Sequence, residues 1–237
     1  MTSPAVAGEE MKVAYRAYQN THTNPPQRWV SDFEKHVDGR ATIKPNAGVN
    51  LDGVSMKMQS ASDIVYDHSS SFGLGLPQIT EGERQFYPKG HSREGQRDEG
   101  FHPMGLGLDF STKGWSRAQL DEVETSLHAA GYQTLSTDHG TGLHLHIELD
   151  TPETKLQLNQ RRGGIRAIGA MAAYPKLQAN FEREFDAGSA GPVMMRLQRT
   201  LGATEDGFWG PQTEGAFKTY IDRFGPTLLG QSLTGSR

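Results

Sequence analysis

Gly100-Phe101-His102-Pro103-Met104-Gly105-Leu106-Gly107-Leu108-Asp109-Phe110 is the stretch from which the rest of the chain is read. A histidine and an aspartate stand seven residues apart in it, with glycines at 105 and 107 between them. Taken as extended chain, its second half alternates. Leu106, Leu108 and Phe110 point one way, and Gly105, Gly107 and Asp109 the other. One face suits a core. The other is bare at the glycines and ends in a carboxylate, so another group can approach the backbone closely there.

Leu143-His144-Leu145-His146-Ile147-Glu148-Leu149 answers it. Its four apolar residues share one face, and His144, His146 and Glu148 share the other. This predicts a half-buried strand with two imidazoles on one side, about 7 Å apart along the strand. A His-to-Asp segment and a His-x-His strand together offer three metal ligands and one further imidazole. Three protein ligands and an open position are what a catalytic zinc site needs.

The 237 residues leave room for one large domain or two smaller ones. Hydrophobic content is 35% with 28 glycines, which points to a loop-rich globular protein. The net charge of -4 gives no argument for a nucleic-acid partner. Cysteine is absent, so any metal must be held by His, Asp or Glu. The first residues, MTSPAVAGEEMK, carry neither a basic start nor an apolar core of signal-peptide length. No run of 18 apolar residues occurs, and no membrane insertion is expected.

Around the two central stretches the pattern is coarser. Pro25-Pro26 precedes a helix expected near Gln27–Val37. Asn50 to Ser55 reads as a turn into a helix or strand. Residues 61–100 are the least regular, with a strand end near Ile79–Arg84 and a polar surface loop over Lys89–Gly100. Ser116 with Gln119 is a capping-box pattern. It opens a helix through Leu120, Val123, Leu127 and Ala130 that Gly131 closes. Tyr132–Leu135 follows as a short strand, and Ser136–Gly140 as a turn. His128 suits a helix C-terminus. His22, His36, His68 and His91 read as surface or packing residues.

Past Asp150, Thr151-Pro152 ends the strand and Gly163-Gly164 is expected to break the chain. Ile165–Phe185 reads as two helical pieces around Pro175. Asp186–Pro192 has linker composition. Val193, Leu197 and Leu201 then form one helical stripe. Asp206-Gly207-Phe208-Trp209-Gly210-Pro211 leads into a second helix with Ala216, Phe217 and Tyr220. No third helix is evident after Phe224.

The spacing of His102, Gly105, Asp109, His144 and His146 resembles the zinc peptidases that cut peptidoglycan stem peptides, the D-Ala-D-Ala carboxypeptidases and L-alanyl-D-glutamate endopeptidases. Gly107 stands where that family has alanine, and Gly100 where it has serine. Asn50–Val54 and Ile79–Arg84 resemble its upstream blocks. The resemblance, over residues 45–150, implies an α+β fold with a small antiparallel sheet. It implies Zn2+ held by His102, Asp109 and His146, and Arg84 binding a substrate carboxylate. Many members place an acidic base three residues before the last ligand, where this chain has Leu143. The His-x-His variant instead implies His144 as the catalytic group, with Glu148, Asp138 and His139 as further candidates.

Leu197-Gln198, Asp206-Gly207, Trp209-Gly210-Pro211, Thr213 and Ala216 resemble a peptidoglycan-binding repeat of three short helices. That implies a wall contact for Trp209, which the residues alone also allow to be core. The expected layout is an N-terminal extension over 1–40, the peptidase domain over 41–150, a helical linker over 151–188 and a small all-α binding domain over 189–237. The reading is a monomeric phage endolysin acting on peptidoglycan, made in the host cytoplasm and reaching the wall through a holin or by injection. Its alternative is a non-catalytic wall-binding or virion protein on a degenerate peptidase fold. A glycosidase ranks below both, since no paired carboxylates stand out.

Overall fold

The structure, a computed structural model, describes residues 31–43, 49–87, 92–138, 143–187 and 190–234. It is an α+β protein. The strands are β1 (Thr42–Ile43), β2 (Gln78–Glu81), β3 (Gly107–Ser111), β4 (Gln133–Asp138) and β5 (Leu143–Glu148). They form one sheet in the order β1-β2-β3-β5-β4. β1 and β2 are parallel and the other pairs antiparallel, so the sheet is mixed where an antiparallel one was expected.

The period-two pattern holds at its centre. Phe110 faces Leu145 and Leu108 faces Ile147 across the β3–β5 pair, and all four are fully buried. Each such side chain contributes roughly 1.5–3 kcal/mol by leaving water. Leu143, at the start of β5, is instead half exposed.

Helices α1 (Asp32–Val37), α2 (Gln59–Ser71) and α3 (Arg117–Ala129) accompany the sheet. Phe33, Val65, Leu120, Val123 and Leu127 complete its core. α1 begins at Asp32, where Ser31, in extended backbone, caps it by accepting from the Glu34 amide, and residues 27–30 of the expected helix lie outside the described residues. The expected entry at Pro25-Pro26 lies outside the described residues, as do His22 and His91. α2 corrects the irregular reading of residues 61–100. Its buried face is Ala61, Ser62, Val65, Tyr66 and Ser69, too small and polar to print a strong apolar stripe. α3 has its capping box, and Gly131 follows it at φ 89°. β4 runs on through Ser136–Asp138, where a turn was expected, because those residues continue the ladder to β5.

The remaining helices are α4 (Pro152–Ala170), α5 (Pro175–Ala187), α6 (Ala190–Leu201), α7 (Pro211–Phe224) and α8 (Pro226–Thr234). Thr151 caps α4 and exchanges bonds with Thr154, and Pro152 takes the first turn, where its missing amide costs nothing. α4 passes through Gly163-Gly164 without a break, a second correction. These glycines are contact points: a Cβ at 163 would lie 2.9 Å from the Trp209 amide nitrogen, and one at 164 would lie 2.1 Å from the Phe185 ring. The expected linker at 186–192 is largely helix, with residues 188 and 189 outside the described ones. α8 is the third helix missed after Phe224; Gly225 at φ 76° and Pro226 start it, and Leu229 and Leu233 bury it.

α4 to α8 share a second core that includes Met171, Leu177, Phe181, Phe185, Leu197 and Phe217. It takes in much of the stretch read as a linker, and Phe33 and Val37, read as extension, belong to the first core. A third cluster of Phe101, Leu106 and Leu158 joins the two. Among the described residues no helix is long and apolar enough to cross a membrane.

Candidate metal centre

Three elements converge on one face of the sheet. The β3–β5 register sets Asp109 opposite His146, with Ser111 opposite His144 one step along and Gly107 opposite Glu148 on the other side. The third contributor is the 3-10 turn His102–Met104, closed by Gly105 in the left-handed region at φ 66°. A Cβ on Gly105 would meet the Gly53 carbonyl oxygen at 1.9 Å, so only glycine fits there. Gly107 is bare for a different reason. A Cβ on it would lie 3.0 Å from the His102 amide nitrogen and 3.2 Å from its ring. The group that approaches the bare strand face is His102 itself.

His102, Asp109 and His146 form a group able to hold a metal ion. His102 Nε2 lies 3.3 Å from His146 Nδ1 and 3.3 Å from Asp109 Oδ1, and His146 Nδ1 lies 2.6 Å from the same oxygen. Tetrahedral ligands about 2.0–2.2 Å from a zinc ion sit about 3.3–3.6 Å from one another. Two edges of the triangle have that length, and the third is a hydrogen bond. Both imidazoles are oriented from behind. His102 Nδ1 is 2.7 Å from the Gly82 carbonyl and donates to it, which leaves the Nε2 lone pair facing the cluster. His146 Nε2 is 2.8 Å from Glu148 Oε1, which leaves Nδ1 as the ligand atom. Such partners fix the tautomer and ring angle of metal-binding histidines.

Electrostatics favour a cation here. Burial by itself raises the Asp109 pKa, but the charges and hydrogen bonds of His102 and His146 hold the carboxyl well below its ordinary range. Burial by itself lowers that of His146, but Asp109 and Glu148 outweigh it and push the ring up to about 10. Two imidazoles and one carboxylate suit zinc in number and donor type, so the residues fit the ion.

His144 lies on the same face, its Nε2 3.6 Å from Asp109 Oδ2. Glu148 is engaged in orienting His146. Asp138 pairs with Leu143 at the far end of β4, and His139 is outside the described residues. Arg84 lies two residues past Gly82, beyond the end of β2. It pairs with Glu81 and with the buried Asp98 at 2.5 Å. A substrate carboxylate would have to displace one of them. Asp98 sits in a polar run, Lys89–Gly100, that reads from composition as surface loop, and no residue pattern there marks it.

Trp209 is not on this face. It is 5% exposed and packs edge-on against Phe217 at 5.6 Å, which corrects the expected wall contact: the indole is core. The motif around it is structural too. The buried Gln198 donates to Asp206 Oδ1, the Phe208 carbonyl and Thr213 Oγ1, and accepts from the Gly207 amide at 2.8 Å. His36, His68 and His128 bond Asp63, Ser126 and Thr134, away from the metal ligands.

Comparison with protein-family models, with curated proteins and with solved structures gives no match.

Proposed function

We propose that this chain is a zinc-dependent peptidase that hydrolyses an amide bond in peptidoglycan stem peptides, of the L-Ala-D-Glu or D-Ala-D-Ala type. The observation that carries the reading is the convergence of His102, Asp109 and His146 with His144 on the same sheet face. The spacing of those residues in the sequence, which resembles the peptidoglycan peptidases, supplies the substrate class. When bound, zinc would supply Lewis acidity, lowering the pKa of water towards ~7 and polarising a carbonyl.

The chain's own groups then divide the work. Gly82 and Glu148 hold the two imidazoles in their ligand tautomers. His144 Nε2 takes a proton from the attacking water as the carbon–oxygen bond forms, and returns it to the amine nitrogen as the carbon–nitrogen bond breaks. Arg84 would receive a substrate carboxylate in exchange with Glu81 or Asp98. The helical part would hold the enzyme at the wall through a surface other than Trp209. In this reading the protein works as a monomeric endolysin, made in a host cytoplasm and released to the wall.

A non-catalytic wall binder is the competing reading, and Leu143 in the position of an acidic base favours it. Mass spectrometry of purified peptidoglycan, digested with and without a chelator, decides between them. Expected are new muropeptides with new free amines that vanish with chelator and return with zinc. Absence of products in every metal condition would refute the peptidase.

A further inference from the structure

Two of the three ligands are placed by the β3–β5 ladder, but His102 is not. It sits in a 3-10 turn, and what holds that turn comes partly from the helical half of the molecule. Leu158 of α4 packs against Phe101 and Leu106, which flank the turn. One helical turn further on, Arg161 is 7% exposed and its Nη2 donates to Gln85 Oε1 at 3.0 Å. Gln85 passes the contact on. Its amide nitrogen donates to the Pro103 carbonyl at 3.3 Å and to Glu83 Oε1 at 2.5 Å. Glu83 also accepts from Asn50. Pro103 follows His102 in the chain, and Glu83 follows Gly82, whose carbonyl fixes the His102 ring. Gln85 therefore grips both the segment carrying the ligand and the segment orienting it.

A guanidinium this deeply buried is costly unless it is well paired. Arg161 bonds a neutral amide, and its Nε has no partner within the protein. Its carbon centre lies 5.3 Å from the centre of the Phe185 ring. The other contacts between the two halves are of a different kind. Arg97 makes a two-pronged pair with the exposed Asp186 at 2.8 and 3.2 Å, and Arg162 donates to the Glu99 carbonyl. Those contacts hold the halves together but do not bond the residues next to His102 or Gly82.

We infer that Arg161 is a positioning residue of the metal centre, acting through Gln85 on the turn that carries His102. The helical half is on this view part of the metal site and not only an appended module. The inference rests on the metal-binding reading and not on the substrate.

The test is zinc affinity of the full chain, measured by competition with a chromophoric chelator. Arg161→Met and Gln85→Leu should each weaken binding about tenfold or more, the range for residues that orient metal ligands. The double variant should be no weaker than the worse single one, since both act along one path. Asp186→Ala, which breaks the neighbouring exposed clamp, should bind zinc as the parent chain does. Parent-like affinity in Arg161→Met, additive losses in the double variant, or an equal loss in Asp186→Ala would each overturn the inference. If Arg161→Met does not fold, Gln85→Leu decides alone: weakened binding supports the path and parent-like binding ends it. A parent chain that binds no zinc would sink the metal reading itself, an outcome distinct from the others.

Discussion

Gly107→Ala isolates the geometry of the metal centre from the stability of the fold. The new Cβ would lie 3.0 Å from the His102 amide nitrogen and 3.2 Å from its Cγ and Nδ1. Ordinary van der Waals contact begins near 3.4 Å, so the histidine must retreat by a few tenths of an ångström. Metal–ligand distances tolerate only about 0.2 Å of error. The expected loss of zinc affinity is therefore roughly 10- to 100-fold, like that for disturbing a ligand's supporting partner. Stability should respond differently. Gly107 lies in a strand without a positive φ, where alanine gains roughly 0.4–1 kcal/mol by restricting the unfolded chain. That gain offsets much of the strain of moving one turn. Chelator competition reads the first quantity and urea unfolding of the metal-free chain reads the second. Zinc affinity equal to the parent's would refute the claim that Gly107 is bare to admit His102. A large loss of stability alongside affinity would mean that the residue supports the sheet and not the site.

Three further outcomes follow from the same contacts. His144→Ala should lower turnover of peptidoglycan by roughly 10²–10⁴ while leaving zinc affinity near that of the parent, measured by amine release and chelator competition; unchanged turnover would remove His144 as the proton-transfer group. In the metal-free chain the His146 pKa, depressed by burial but raised overall to about 10 by Asp109 and Glu148, makes stability complete below pH ~6.5 and progressively lost as pH rises towards 10, by about 1.4 kcal/mol per pH unit. His146→Gln should flatten urea stability between pH 7 and 9 relative to the parent, and parallel curves would refute the shift. Gln198→Ala should cost about 1–3 kcal/mol in urea unfolding of the helical core, because it takes the buried acceptor from the Gly207 amide, while Asp206 and Thr213 keep their bonds to the Phe208 backbone.

What the sequence made legible is what period and spacing encode. Strict alternation placed Leu145 and Ile147 in the core and His146 and Glu148 on the opposite face, and the bare Gly107 marked a close approach. The α3 boundaries were legible because Ser116, Gln119 and Gly131 are local signals. α2 was not, because Ala61, Ser62 and Ser69 dilute the apolar signal of Val65 and Tyr66 on its buried side. Gly163 and Gly164 misled, because glycine reads as a helix breaker when only local propensity is weighed, and close packing on Trp209 and Phe185 outweighs that here. Trp209 was ambiguous for a similar reason: burial of an indole depends on which helices meet around it. The Gly82 carbonyl was beyond reach, since a backbone oxygen that orients a side chain twenty residues away leaves no trace in residue type. Asp98 was hidden by the polar run around it.

The core and two of the ligands depend on a single register. Slipping β5 by one residue against β3 would turn Leu145 and Ile147 to the site face and His144, His146 and Glu148 into the core. The apolar burial that stabilises the sheet therefore also aligns Asp109 with His146, and that half of the site needs no separate support. His102 has no such guarantee, because a three-residue turn has no hydrophobic period to lock it. It is held by a left-handed glycine against Gly53, by the Gly82 carbonyl, and through Gln85 by Arg161 from the other core. Substitutions should therefore divide by which ligand they touch. Those in the β3–β5 core should lower stability and metal affinity together, whereas those behind the His102 turn should lower metal affinity with the sheet intact.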